Sequence, residues 1–325
     1  MTISKVLPER SSIGADESIL SARRLINPDR IFAQISRAVA VGVVAVLLWL
    51  GWVIFQQALP AIKQFGPGFL TSKEWDPNNL LFGALPYIYG TLVSSLLALL
   101  LAVPIGLAIA IVTSENFLPK PLRLPIIFLV ELIAAIPSVI IGFWGIFVLI
   151  PVLQPLQIGI HQKFGWIPLF STETSGYSMF VAAVVLAVMI LPTIASISRD
   201  VIQAVPKELR SASVALGATR WEMILSVVLP SSLSGIVGAV MLALGRALGE
   251  TMAVTMVIGN SDQLNISLFD SANTIPAILA NQFAEAYDPV HVGALMYLAL
   301  ILFVLTLVVN IGAVYLVQAF SFKQK

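Results

Sequence analysis

Three ionisable side chains stand well inside long apolar stretches of this chain: Glu131, Arg246 and Glu250. An unpaired charge at the centre of a membrane-spanning helix costs roughly 2.5–3.5 kcal/mol on insertion scales, so each must face protein or water. Arg246 and Glu250 are four residues apart. On a continuous helix that spacing sets them about 40° apart on one face, which permits a salt bridge. An arginine so placed suits one chemistry in particular: its planar guanidinium can grip two oxygens of an oxyanion at once. The carboxylate would hold the guanidinium in place and keep the empty site near neutral. A structural ion pair between packed helices is the competing reading of the same residues. Gly245 and Gly249 form a small-xxx-small pair beside them, which lets another helix backbone approach. Glu131 opens the run ELIAAIPSVIIGFWG. It is read either as a partner of Arg246 or second gate residue, or as a helix-packing residue. Pro137 interrupts that run, and a broken span frees backbone groups that can line a cavity. Gly142 and Gly145 allow close packing there.

Other chemistries find little support. The chain has no cysteine, which excludes disulfides, thiolate metal sites and cysteine nucleophiles. His161 and His291 are far apart and read as loop or rim residues. No GxxxxGK[ST] phosphate loop is present, so ATP cannot bind in that way. No GxSxG or HExxH stands out either. An intramembrane enzyme therefore has no catalytic pair to stand on.

The elements that must carry these residues are membrane helices. Of 325 residues, 58% are hydrophobic and 11% charged, with a mean hydropathy of +0.95. Soluble domains carry about 25% charged residues. Six stretches are long enough to cross a bilayer, which takes about 20 residues. They are 38–56, 87–113, 122–150, 177–197, 231–258 and 292–317. If the fifth starts at Ser231, Arg246 lies roughly 22 Å in, past the midplane toward the outside. Residues 1–29 are polar and expected to form a mobile cytoplasmic tail. A surface helix over 22–35 is an open alternative for part of it.

Lys and Arg near the span ends set orientation. With the N-terminus inside, Lys63, Lys73 and Lys163 fall outside, against twelve basic residues inside, among them Arg37, Lys120, Arg123, Arg199, Lys207, Arg210 and Arg220. Both termini and the 199–230 loop are thus expected in the cytoplasm. Arg199 and Asp200 read as anchors at a span end. The outer segments include LQIGIHQKFGWIPLF, a candidate interfacial helix, and NTIPAILANQF, a candidate short helix.

The 207–230 stretch, KELRSASVALGATRWEMILSVVLP, reads as a helix–turn–helix between two spans. Pro206 can open the first helix. Gly217 suits the position just past its end. Thr219 can cap the next helix, with Glu222 as its capping-box partner. Trp221, Ile224, Leu225 and Val228 fall on one face, an apolar ridge that would dock into a partner. Pro230 is expected to end this helix.

That loop resembles the cytoplasmic "EAA" loop of ABC importer permeases: Glu-Ala-Ala, three further residues, a glycine, nine more residues, then Ile-x-Leu-Pro. Here Gly217 is the glycine, and Val227, Leu229 and Pro230 the end. The Glu-Ala-Ala positions read Ser211, Ala212 and Ser213, and Glu208 lies about one turn earlier. The family's glutamate is therefore absent. GRALGETMAV, AVPKELRSASVALGATRWE and ELIAAIPSVIIGFWG resemble the PstC-type permeases of phosphate-specific importers. The resemblance covers about 31–320 and implies an all-α membrane protein with a type I (MetI-like) permease core. It implies no enzyme activity and no cofactor on this chain, ATP and Mg being held by a separate ATPase. Implied partners are a second permease of PstA type, an ATPase dimer of PstB type and an outer phosphate-binding protein of PstS type. It places Arg246 and Glu250, with Glu131 as a candidate, on the phosphate path. ATPase coupling falls to Glu208, Ser211, Ala212, Gly217, Ala218, Thr219, Trp221, Ile224 and Leu225. A permease for sulfate or molybdate, and a membrane anchor that signals phosphate status, remain as alternatives.

Overall fold

A chain this apolar must satisfy its backbone within helices wherever it meets lipid. The computed structural model describes residues 28–115 and 117–322, and among these the regular structure is helical, with two isolated bridges, Asp76 to Leu81 and Gly259 to Ala272. The expected tail and the surface helix over 22–35 lie, up to residue 27, outside the described residues.

The described residues divide by their contacts at residue 53, into one unit up to it and a second over 54–322. In the first, the described residues form one helical arm with almost every side chain exposed. That arm belongs to α1, Pro28–Phe65. The second unit contains α2 (Leu85–Ser114), α3 (Lys120–Ala135), α4 (Ser138–Trp144), α5 (Ile150–Phe164) and α6 (Met179–Gln203). After these come α7 (Lys207–Ala215), α8 (Arg220–Met223), α9 (Leu229–Gly249), α10 (Met252–Val257), α11 (Ile275–Gln282) and α12 (Pro289–Phe322). Six helical stretches among the described residues are long and apolar enough to cross a membrane: 29–70, 85–114, 138–164, 179–203, 220–249 and 289–315.

Two expected spans need correction. The third does not run 122–150. Proline disfavours helical conformation at the residue before it, and Ile136 is extended, with ψ 127°, so α3 stops at Ala135. The crossing helix starts at Ser138 and continues to Phe164, taking in residues expected to form an outer interfacial helix. The fifth, expected over 231–258, starts earlier at Arg220 and stops at Gly249.

Pro230 does not end its helix. Proline within a helix lacks the N–H donor and its ring crowds the carbonyl four residues back. A wider π-helical turn ahead of it gives that ring room. Such a turn spans Ile224–Val228 just before Pro230, and another spans Gly145–Leu149 just before Pro151. Both helices therefore pass through their prolines.

The main core lies between α2 and α6, with α4, α9 and α10 closing over it. Small residues on α2, Ala98 and Ala102, meet Ile190 and Ile194 of α6 in this cluster. Gly142 lets α4 approach α10: a Cβ there would stand 3.3 Å from Ala253 Cα and 2.5 Å from Met256 Sδ. At one end, Trp75 donates to Gln282 at 2.9 Å and buried His291 stacks on Phe82. His161 lies in α5, its Nδ1 2.8 Å from the Phe170 carbonyl. Of the loop or rim reading the loop half fails, since both histidines lie in terminal turns of helices. NTIPAILANQF folds as the expected short helix, capped by Thr274. At the other end, Ile202, Val205, Met223, Ile224 and Val228 form a small core beneath α7 and α8.

Candidate functional site

The hairpin from α7 to α8 is built by local hydrogen bonds. Gly217 adopts φ +89°, open to glycine at little cost. Its N–H bonds the Val214 carbonyl at 2.9 Å, and Ala218 N–H bonds Ser213 at 3.2 Å, so the end of α7 closes in a Schellman motif. Thr219 then starts α8 with a complete capping box. Glu222 N–H donates to its Oγ1 at 3.3 Å, and its own N–H donates to Glu222 Oε2 at 2.7 Å.

The expected apolar ridge divides in two. Trp221 and Leu225 are exposed, at 58% and 62%, whereas Ile224 and Val228 are buried in the chain's own core. Ile224 therefore cannot dock into a partner, because it already packs beneath the hairpin. Exposed Leu216, Val214 and Leu209 join Trp221 on the outer surface instead. Glu208, Ser211 and Ala212 are exposed on α7. Ser211, standing where the family's glutamate would be, donates to the Lys207 carbonyl at 3.0 Å.

Sequence reasoning missed how the hairpin is tied to the bundle. Arg210 Nη1 bonds Glu115 Oε1 at 2.5 Å, and Nη2 bonds the Ile202 carbonyl at 2.6 Å. One side chain thus fixes α7 to the ends of α2 and α6. A cavity of about 390 Å³ beside this clamp is lined by Arg210, Phe117, Lys207 and Met223, among others. The one sequence signal was a lone acidic residue closing the second span opposite a basic loop.

The membrane-embedded residues are arranged differently from expectation. Arg246 lies in the last turn of α9, and Glu250 just beyond, in extended conformation with ψ 123°. The helix that would have held them on one face is broken. Gly249 and β-branched Thr251 weaken it. Local bonds complete the break: Thr251 Oγ1 donates to the Gly249 carbonyl, and Glu250 Oε1 accepts from Ala253 N–H in the first turn of α10 at 3.3 Å. Among the described residues Arg246 and Glu250 form no ion pair, with each other or elsewhere. Arg246 Nη1 instead reaches Thr193 Oγ1 on α6 at 3.4 Å. Of the two glycines, Gly245 lies near Asn310 of α12, while no atom outside its own helix stands within 4 Å of a Cβ at Gly249.

Thr193 fixes the depth. It is fourteen residues from Met179 and ten from Gln203, about 21 Å and 15 Å along α6. A bilayer's hydrocarbon core is about 30 Å thick. Arg246 is thus level with the middle of α6, although it lies in the last turn of α9. Glu131 does not meet Arg246. It pairs with Arg199 at 3.7 Å, and Arg199 also bonds Asp200 at 3.2 Å. Arg199 is therefore more than a span-end anchor, since it ties α3 to α6.

A family model described as the binding-protein-dependent transport system inner membrane component matches residues 102–322. The phosphate transport system permease protein PstC of Mesorhizobium japonicum is 45% identical over 303 residues, covering 92% of each chain. The protein of the same name from Haemophilus influenzae is 46% identical over 256 residues, 77% of this chain and 81% of its own. Among solved structures, a bacterial alginate ABC transporter in complex with an alginate-bound periplasmic protein aligns with TM-score 0.57 at 17% identity, over 88% of this chain and 94% of its own. The inward-facing MetNI methionine ABC transporter aligns with TM-score 0.54 at 19% identity, over 76% of this chain and 99% of its own. At those identities the likeness is one of fold, and it is the fold of importer permeases. By its family match and its relatives, the chain belongs to the inner membrane components of binding-protein-dependent transport systems.

Proposed function

We propose that this chain is a permease subunit through which an ATP-driven importer moves inorganic phosphate across the inner membrane. The phosphate assignment draws on relatives named phosphate transport permeases, at 38–46% identity over most of their length. The observation that carries the mechanism is Arg246: a guanidinium level with the middle of α6 that forms no ion pair among the described residues. A charge left so in lipid is costly, so its open side must face protein, water or an anion. Phosphate near neutral pH bears one to two negative charges, and a low-dielectric path without a counter-charge would exclude it. Arg246 supplies that counter-charge.

Glu250 bonds the first turn of α10 and holds the helix break open beside Arg246. Glu131, paired with Arg199, ties α3 to α6. ATP is hydrolysed on a separate ATPase dimer of PstB type, which receives Trp221, Leu225 and Leu216 of the hairpin. The hairpin lies in the cytoplasm with both termini. A second permease of PstA type completes the path, and a PstS-type protein delivers phosphate outside. Cysteines introduced at Ala215 and Ala284 test the orientation in a chain that has none: only Ala284→Cys is expected to label in intact cells.

Uptake of labelled phosphate, with membrane abundance measured alongside, tests the site. Arg246→Gln is expected to abolish uptake at normal abundance, and Arg246→Lys to leave it weak, because an ammonium lacks the bidentate fork. Full uptake by Arg246→Gln contradicts the proposal. Transport of labelled sulfate in place of phosphate by the native complex would assign the chain to the other oxyanion.

A further inference from the structure

We infer that Thr193 is a second substrate-contacting residue of the anion path, holding Arg246 in position and donating its own hydroxyl proton to the anion. This rests on the reading of Arg246 as the path residue.

The argument begins with where hydroxyl protons go in a membrane helix. A Ser or Thr there ordinarily donates to the carbonyl three or four residues back. Thr91 does so to Tyr87 at 2.7 Å, Thr113 to Ile109 at 2.6 Å, Thr255 to Thr251 at 2.7 Å and Ser232 to Val228 at 2.8 Å. Ser95 and Ser198 have buried hydroxyls with no partner among the described residues, and Thr193 departs from the pattern in another way, by accepting from a guanidinium. Its Oγ1 accepts from Arg246 Nη1 at 3.4 Å, and among the described residues its hydroxyl donates to none. A hydroxyl can accept and donate at once. With a lone pair engaged by the guanidinium, the proton is left to point at whatever the guanidinium binds.

The guanidinium is in the complementary condition. Arginine has five N–H donors in a fixed plane, and one of them goes to Thr193. The remaining N–H groups form a fork on the same side chain, and Arg246 is exposed on this chain's surface. An oxyanion in that fork sits beside Thr193, which can supply a further donor. Thr193 is itself well placed to fix geometry. It is only partly exposed, on α6, the helix at the centre of the main core, directly after buried Pro192. An acceptor on a rigid element places the flexible arginine, a role the broken α9–α10 junction cannot give to Glu250.

The test uses the complete importer with its binding protein, measuring phosphate transported per complex at saturating phosphate. Membrane abundance and ATPase association are measured beside it. Thr193→Val keeps the shape and removes the hydroxyl, and is expected to lower transport about tenfold, as for loss of a hydrogen bond to a charged group. Thr193→Ser restores the hydroxyl and is expected within about twofold of native, well under that loss. Arg246→Gln is run alongside. If Thr193→Val transports at the native rate while Arg246→Gln is inactive, the inference fails and the path reading stands. If Arg246→Gln is active, the path reading fails and takes this inference with it. If Val and Ser both deplete the complex from the membrane, or Ser is no better than Val, Thr193 is a packing residue and the inference is overturned.

Discussion

Arg210 and Arg246 are the same side chain in opposite circumstances. Arg210 is bound to a carboxylate at 2.5 Å and a backbone carbonyl at 2.6 Å, with Glu115 only 11% exposed at its side chain. Arg246 has a single 3.4 Å contact with a hydroxyl and no ion pair among the described residues. The first has its charge matched within the chain, so its role is mechanical: it clamps the hairpin to two membrane helices. The second, level with the middle of α6, has no such match among the described residues. Difference in satisfaction, more than residue type, separates the residue that fixes the hairpin from the residue proposed to meet the anion.

That contrast can be broken most severely at the clamp. Glu115→Ala leaves Arg210 charged and without its carboxylate, which is expected to cost about 3 kcal/mol, the lower range for a buried pair. Membrane abundance and hairpin protection from protease are expected to fall. Arg210→Met with Glu115→Leu removes both charges and is expected to recover most of the abundance. Equal losses in the single and double variants would show that the clamp is not an ion-pair effect. Arg246→Gln, by contrast, is expected to leave abundance intact.

A smaller effect separates the two faces of the hairpin. Trp221→Asp is expected to stay in the membrane and lose co-purification with the ATPase. Ile224→Asp places a charge in the core beneath the hairpin, so loss of the folded chain itself is expected. Normal ATPase co-purification by Trp221→Asp would remove the docking surface. Smallest of all are two local changes. Glu250→Ala removes the bond to Ala253 N–H in the first turn of α10 and is expected to cost about 1 kcal/mol in thermal stability of the purified complex. Ser211→Glu, exposed and restoring the family's glutamate, is expected to stay within about 0.5 kcal/mol by the same measurement.

What the sequence made legible follows from how far apart the interacting groups lie. Gly217, Thr219 and Glu222 act on neighbours within five residues, and their motifs appear in the structure as read. The Pro137 interruption is equally local. Pro230 misled, because the residues ahead of it adopt a π turn that no single residue type announces. The break after Gly249 was hidden for a related reason: Gly-Glu-Thr sits between apolar runs with no proline, and its bonds are local alternatives to the helix. Arg210 with Glu115 is separated by 95 residues, and Arg246 with Thr193 by 53, so no periodicity links either pair. The fold class and the hairpin were therefore readable, whereas the partners of each embedded charge depended on tertiary packing. The i, i+4 spacing of Arg246 and Glu250 suggested a bond that the helix break prevents.

The most direct measurement joins both arginines in one preparation. The complete importer, reconstituted in proteoliposomes with its binding protein, is assayed for ATP hydrolysis and phosphate accumulation together, native against Arg246→Gln. With Arg210 and the hairpin intact, the variant is expected to assemble and hydrolyse ATP while accumulating no phosphate. Phosphate accumulating at the native rate would contradict the assignment of Arg246 to the anion path.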